Sequence, residues 1–133
     1  MERKNIVHPI PPTYDENSKI LILGSFPSVK SRECGYFYGH PANRFWKVVA
    51  AVFEDEVPET VDEKRSFLIR HHVAAWDVIA SCSIEGSSDS SIRDVVPNDL
   101  TEILAASGLR RIFVNGRTAE KMYNKYTRGK TGI

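Results

Sequence analysis

The sequence predicts an α/β fold: a three-layer α/β/α arrangement around a central, mostly parallel sheet. Three observations carry that expectation. Short strand-like segments rich in apolar residues fall at 20–23, 73–80 and 110–114, and segments with helical spacing or helix-capping residues separate them. The first run, Lys19-Ile-Leu-Ile-Leu23, passes directly into Gly24-Ser25-Phe26-Pro27-Ser28, the pattern of a buried parallel strand ending in a tight loop. Strands alternating with helices favour a parallel sheet covered on both faces, and ligands of such sheets bind at the carboxyl ends of the strands.

Residues 1–17 are polar and carry Pro9, Pro11 and Pro12, which suits an extended arm rather than a helix. The remainder, 18–133, is expected to form one domain. Ile20 to Leu23 is the first strand, and the polar stretch from Ser28 to Cys34 is expected to be a mobile connection. A helix should run from about Arg44 to Phe53, because Asn43 is a good N-cap and Phe45, Val48, Val49 and Val52 recur at helical spacing. Thr60 and Glu63 form a capping box for a helix through about Arg70. Val73 to Ala80 is the second strand, with Asp77 expected to be a buried hydrogen-bond partner within it. Ser81 to Ser91, rich in Ser and Gly, reads as loop. Asn98 or Asp99 can cap a helix ending near Ser107, with Leu100, Ile103 and Leu104 inward and Gly108 as its stop. Arg110 to Val114 is the third strand, and Thr118 to Tyr126 the last helix.

A chain of 133 residues makes one domain. Its 41% hydrophobic and 26% charged composition is that of a soluble globular protein. No apolar run reaches the roughly 18 residues of a membrane span, and Met1-Glu2-Arg3-Lys4 leads into no signal-peptide core. No membrane association is expected, and a cytosolic location is. Cys34 and Cys82 are too few and too far apart for a disulfide framework. No Cys-x-x-Cys or His-Glu-x-x-His motif occurs, and the adjacent His71 and His72 cannot share a helix face, so neither a metal nor another cofactor is expected. Gly129-Lys130-Thr131 lacks the earlier glycine of a P-loop, since Asn124 stands there. Charge is uneven: Glu54 to Glu63 is acidic, whereas Arg110, Arg111, Arg117, Lys121, Lys125, Arg128 and Lys130 face a single acid, Glu120. Such an end is either a solvated helix face or a phosphate-binding surface.

The stretch Gly35-Tyr36-Phe37-Tyr38-Gly39-His40-Pro41-Ala42-Asn43-Arg44-Phe45-Trp46 is the other concentration of information. Three consecutive aromatics between glycines, with an amide and a guanidinium beside them, either cover a core or present flat surfaces to a ligand such as a nucleobase.

Leu23 to Ser28, followed by Gly35 to Val48, resembles the uracil-DNA glycosylase superfamily. The resemblance is strongest to its DNA-deoxyinosine (hypoxanthine-DNA) glycosylases and extends over about Lys19 to Tyr126. Residues 40–48 are also similar to the matching tract of mismatch-specific uracil-DNA glycosylases. The resemblance implies a monofunctional, monomeric glycosylase that flips a deaminated base, chiefly hypoxanthine, out of DNA and hydrolyses its N-glycosidic bond with water, without a cofactor. Uracil and xanthine are secondary substrates on this reading. The alternatives are a mismatch-specific uracil-DNA glycosylase, a weakly active nucleobase- or DNA-binding module of the same fold, and an unrelated small protein using its aromatic loop as an interface.

Carried onto this sequence, the resemblance makes Asn43 the catalytic residue and Tyr38 the stacking wall, with Phe26 opposite. Backbone groups of Gly24, Ser25, Phe26, Pro27, Gly39 and His40, and the side chain of Asn115, would contact the base. Ser81, Ser87 and Asp89 are candidates for the pocket, and Arg44 and Arg117 for DNA contacts. Two departures stand out. Phe26 replaces the asparagine that mismatch-specific enzymes carry in the first loop. The family also continues past the last helix into a further strand and a loop that enters the DNA, a segment this sequence is expected to lack.

Overall fold

The computed structural model describes residues 4–39 and 43–131. In chain order the elements are β1 (Lys4–Val7), β2 (Ile20–Gly24), α1 (Val29–Cys34), α2 (Phe45–Val52), α3 (Val61–Arg70), β3 (Val73–Asp77), β4 (Ile79–Ile84), β5 (Arg93–Pro97), α4 (Thr101–Ala106), β6 (Arg111–Val114), α5 (Arg117–Tyr126) and α6 (Arg128–Thr131), with a 3-10 turn at Asp89–Ser91 before β5. The three expected strands make one parallel sheet, ordered β3-β2-β6, although the second ends at Asp77, and Ile79 and Ala80, expected to continue it, open β4 instead. Its register sets Gly24 opposite Asp77 and Leu23 opposite Val114, so the ends of all three strands come level.

Side chains along β2 alternate between two cores, as the period of two of a strand requires. Leu21 and Leu23 pack with Ile103 of α4 and Tyr123 of α5, while Ile20 and Ile22 pack with Trp46 and Ala50 of α2 and Phe67 and Leu68 of α3. Helices therefore cover both faces. The Thr60 hydroxyl accepts from the Glu63 N–H at 3.0 Å and starts α3 as its sequence predicts.

A second, antiparallel sheet, ordered β1-β4-β5, adjoins the first and is not indicated by the sequence. The expected loop from Ser81 to Ser91 belongs in part to a strand: β4 runs to Ile84, with Ile79, Cys82 and Ile84 buried. Register irregularities between Ile79 and Ser83 break the two-residue alternation, which hides the strand from a pattern search. Within residues 1–17, Lys4–Val7 pairs with β4, Ile10 enters the core, and Thr13 bridges the outer edge of β3 at Ala75.

The connection from Ser28 to Cys34 is a helix rather than a mobile loop. The Ser28 hydroxyl accepts from the Ser31 N–H at 3.1 Å and supplies the N-cap of α1. At α4 the Asp99 carboxylate accepts from the Thr101 N–H at 2.9 Å, while the Asn98 amide instead donates to the carbonyls of Asp77 and Ile79. No helix among the described residues is long and apolar enough to cross a membrane.

Candidate active site

A cavity of about 250 Å³ opens where β2, β3 and β6 end. It is small beside ordinary ligand pockets of roughly 300–1,000 Å³ and suits one planar heterocycle. The β2 loop supplies Gly24 to Ser28, β3 supplies Asp77, the position after β6 supplies Asn115, and the aromatic loop supplies Phe37, Tyr38 and Asn43. Ser31, Ile84, Ser87 and Asp89 complete the lining.

The first loop is pinned at both ends. Val78 N–H donates to the Gly24 carbonyl at 2.8 Å and Ile79 N–H to the Ser25 carbonyl at 3.1 Å. Arg32 spans the opposite wall, donating to the carbonyls of Pro27 at 3.1 Å and Gly86 at 3.2 Å, with its guanidinium over the Phe26 ring. The Val29 N–H donates to the Ser87 hydroxyl at 2.8 Å, so α1 ties together the loops after β2 and β4.

Of the three consecutive aromatics, two are core. Tyr36 and Phe37 are each 2% exposed, and the Tyr36 hydroxyl lies 2.6 Å from that of Thr13. Only Tyr38 turns its polar end into the cavity. It adopts φ 53°, a conformation unusual for a bulky residue. Two contacts hold it there: its ring stacks on Phe45 at 3.9 Å between centroids, and the next residue, Gly39, donates its N–H to the Ser31 hydroxyl at 3.0 Å. Gly39 is needed for that approach, since a Cβ would run into Cys34 Sγ. Phe45 thus occupies one face of the Tyr38 ring.

The Tyr38 hydroxyl is buried, and among the described residues it has no hydrogen-bond partner in full bonding geometry. Burial, reinforced by the neighbouring Asp77 carboxylate, pushes this phenol far above its ordinary pKa; the nearby Asn115 amide pulls weakly the other way. The group is therefore a neutral donor at any physiological pH.

Asp77 is 4% exposed, and its Oδ2 lies 2.7 Å from His8 Nε2. His8 Nδ1 accepts from the Ile10 N–H at 3.1 Å, which places the ring proton on Nε2 and makes it a donor to Asp77. The other oxygen, Oδ1, stands against Gly24: a Cβ on Gly24 would clash with it and lie 3.4 Å from the Tyr38 hydroxyl.

Asn43 lies immediately before Arg44, the N-cap of α2, rather than at the cap itself. Its Oδ1 accepts from the Phe45 N–H at 2.8 Å, an Asx turn that serves the same end. The amide NH2 is the part left to face a ligand. Gly24, Ser25, Phe26, Pro27, Ser87, Asp89 and Asn115 also line the cavity.

Other sequence-derived candidates fall elsewhere. Gly39 spends its N–H on Ser31 and does not line the cavity. Ser81 sits within β4 opposite Val7 and Val96, outside the lining. Arg44 and Arg117 are exposed and outside it too, each within two residues of a lining asparagine. His40 lies outside the described residues. Sequence reasoning missed Ser28, Ser31, Phe37 and Ile84 as lining residues, and gave Asp77 no place in the cavity. The one available signal was Ser28-x-x-Ser31, a helix-start pattern. Among the described residues no three His, Cys, Asp or Glu side chains converge to hold a metal.

The uracil DNA glycosylase superfamily model matches residues 11–133. The chain belongs to that superfamily. Members similar to it include a Methanosarcina acetivorans protein named hypoxanthine DNA glycosylase, 38% identical over 121 residues covering 90% of this chain and 76% of the relative. A Methanosarcina barkeri protein of the same name is 33% identical over 109 residues, covering 80% of this chain and 69% of the relative. The solution structure of a Methanosarcina acetivorans protein, provisionally described as a uracil DNA glycosylase, superposes with a TM-score of 0.79 at 35% identity, over 93% of this chain and 78% of that one. In this glycosylase-superfamily chain the parallel sheet and its cavity thus occupy the part of the sequence that the family model covers.

Proposed function

We propose that this chain is a monofunctional DNA glycosylase that removes hypoxanthine from DNA in base-excision repair. The observation that carries the reading is the conjunction of two relatives named hypoxanthine DNA glycosylase with a cavity sized for one base and lined by polar groups. Such an enzyme takes the base out of the stack, holds it, and lets water attack the sugar as positive charge develops there and negative charge on the leaving base.

In this chain Phe26 contributes the apolar surface that supports one side of the base, and Tyr38 meets the base at its edge rather than as a stacking wall. Asn43 uses its amide NH2 to donate to the departing base, since its oxygen is committed to Phe45. Asn115, on the turn after β6, contacts the base from a third direction. Arg44 and Arg117 contact phosphates beside the cavity, and the protein acts as a monomer within the DNA-containing compartment. Incubation with a duplex carrying one deoxyinosine should produce an alkali-labile abasic site at that position. A duplex that stays intact after alkali, under conditions where the protein binds it, rejects the proposal.

A further inference from the structure

Two residues that line the cavity beside Gly24 carry oxygen groups of opposite hydrogen-bonding character. Asp77 Oδ1 is on a carboxylate that can only accept, fixed in place because Oδ2 is occupied by His8. The Tyr38 hydroxyl is a buried donor that no described residue meets in full bonding geometry. The Asn115 amide stands near it, but a buried hydroxyl without a full partner is destabilising, and a bound ligand would supply the missing acceptor. Gly24 lets both groups stand this close to the backbone, since a Cβ there would run into Asp77 Oδ1 and touch the Tyr38 hydroxyl.

We infer that Asp77 and Tyr38 together read the lactam edge of the flipped base: Asp77 accepts from a ring N–H, and the Tyr38 hydroxyl donates to the adjacent carbonyl oxygen. This rests on the glycosylase reading and names how its substrate is selected. A base enters with its sugar-bearing nitrogen toward solvent, so its far edge meets the buried end of β3. In hypoxanthine that edge presents N1–H and O6. Adenine, from which hypoxanthine arises by deamination, presents the reverse: a lone pair on N1 and an amino group at C6. Against this pair adenine sets lone pair to carboxylate and leaves the tyrosine donor without an acceptor. Uracil and xanthine carry the same N–H and C=O combination and are accepted by the same pair. His8 is a positioning residue, holding the carboxylate through a tautomer that the Ile10 backbone fixes.

The test measures binding of duplexes containing one 2′-fluoro nucleoside, whose base stays attached, with inosine, adenosine or guanosine at the site. The intact protein should prefer inosine to adenosine. Asp77→Asn should cut that preference about tenfold to a hundredfold, and Tyr38→Phe about twofold to tenfold. Guanosine shares the lactam edge and differs only at its 2-amino group. The inosine-to-guanosine ratio should therefore hold in both variants, whereas general damage to the cavity shifts both ratios. Because Asp77→Asn removes a buried partner of His8, the ligand is altered as well: 1-deazainosine, with C–H in place of N1–H, should bind wild-type protein about tenfold or more weakly than inosine. Unchanged inosine-to-adenosine preference in both variants overturns the inference, as does full binding of the 1-deaza analogue. Hypoxanthine excision that persists alongside such a result leaves the glycosylase reading standing. A wild-type protein with neither excision nor inosine preference rejects both.

Discussion

Asn43 performs two tasks through two ends of one amide, and a pair of substitutions separates them. Its Oδ1 accepts from the Phe45 N–H at 2.8 Å, one of the unsatisfied donors at the start of α2. Asn43→Ala removes that acceptor and the amide donor together. For an exposed residue opening an eight-residue helix, the lost cap is worth about 1 kcal/mol, or about 3–5 °C in Tm for a domain of this size. Asn43→Asp keeps an acceptor and places negative charge where the helix favours it, so stability should stay within about 0.5 kcal/mol of wild type. The donor is lost in both variants, and removing one donor to a developing anion costs about 10²–10³ in rate. Aspartate adds repulsion of the leaving base on top. Melting curves and single-turnover excision of hypoxanthine should then rank the variants in opposite orders, with Asn43→Asp the more stable and the slower. If rate follows stability, with Asn43→Ala the slower, Asn43 is a helix-start residue and no more.

Three further outcomes follow from particular contacts. Ser31→Ala removes the acceptor of the Gly39 N–H and should lower stability by about 1–3 kcal/mol in urea melts; it should also weaken binding of inosine DNA, because Tyr38 loses its neighbour's anchor. Gly24→Ala pushes a methyl group against an Asp77 carboxylate that His8 prevents from swinging away. It should cost about 1–3 kcal/mol and displace Asp77 from its place in the cavity wall, weakening binding of inosine DNA, whereas wild-type binding would show that the position of this carboxylate does not matter. Asp55, hydrogen-bonded by Arg70, His71 and the Glu56 N–H, has its carboxyl held well below the usual range. Its folded-state pKa lies below the unfolded value of about 3.9. The stabilisation is therefore present above that pH and lost as the pH falls through the folded-state value. The Tm gap between wild type and Asp55→Asn should be full at neutral pH and shrink below about pH 4; a gap constant with pH contradicts the assignment.

What was legible in the sequence was what local chemistry decides. Leu21 to Gly24 reads as a buried strand ending in a loop because apolar residues and glycine follow one another without interruption. Thr60 and Glu63 mark α3 because the cap lies within one turn. The placement of Asp77 depends instead on His8, 69 positions away, and on β1 pairing with β4. Nothing local in residues 1–17 announces either. Tyr36, Phe37 and Tyr38 are alike in composition, and only the positions of Thr13 and Phe45 decide that the first two are buried in the core, Phe37 also backing the cavity, and that the third sets its hydroxyl there. Helix α1 is six residues long, too short to show an apolar period. Strand β4 is disguised by its serines and register shifts.

The account stands most directly on the fate of the base. A duplex with a single deoxyinosine, treated with the protein and analysed chromatographically, should release free hypoxanthine in equal number with the abasic sites formed, and no adenine should come from the matched unmodified duplex. Strand cleavage that leaves hypoxanthine attached to its sugar, or no release of hypoxanthine at all, would contradict it.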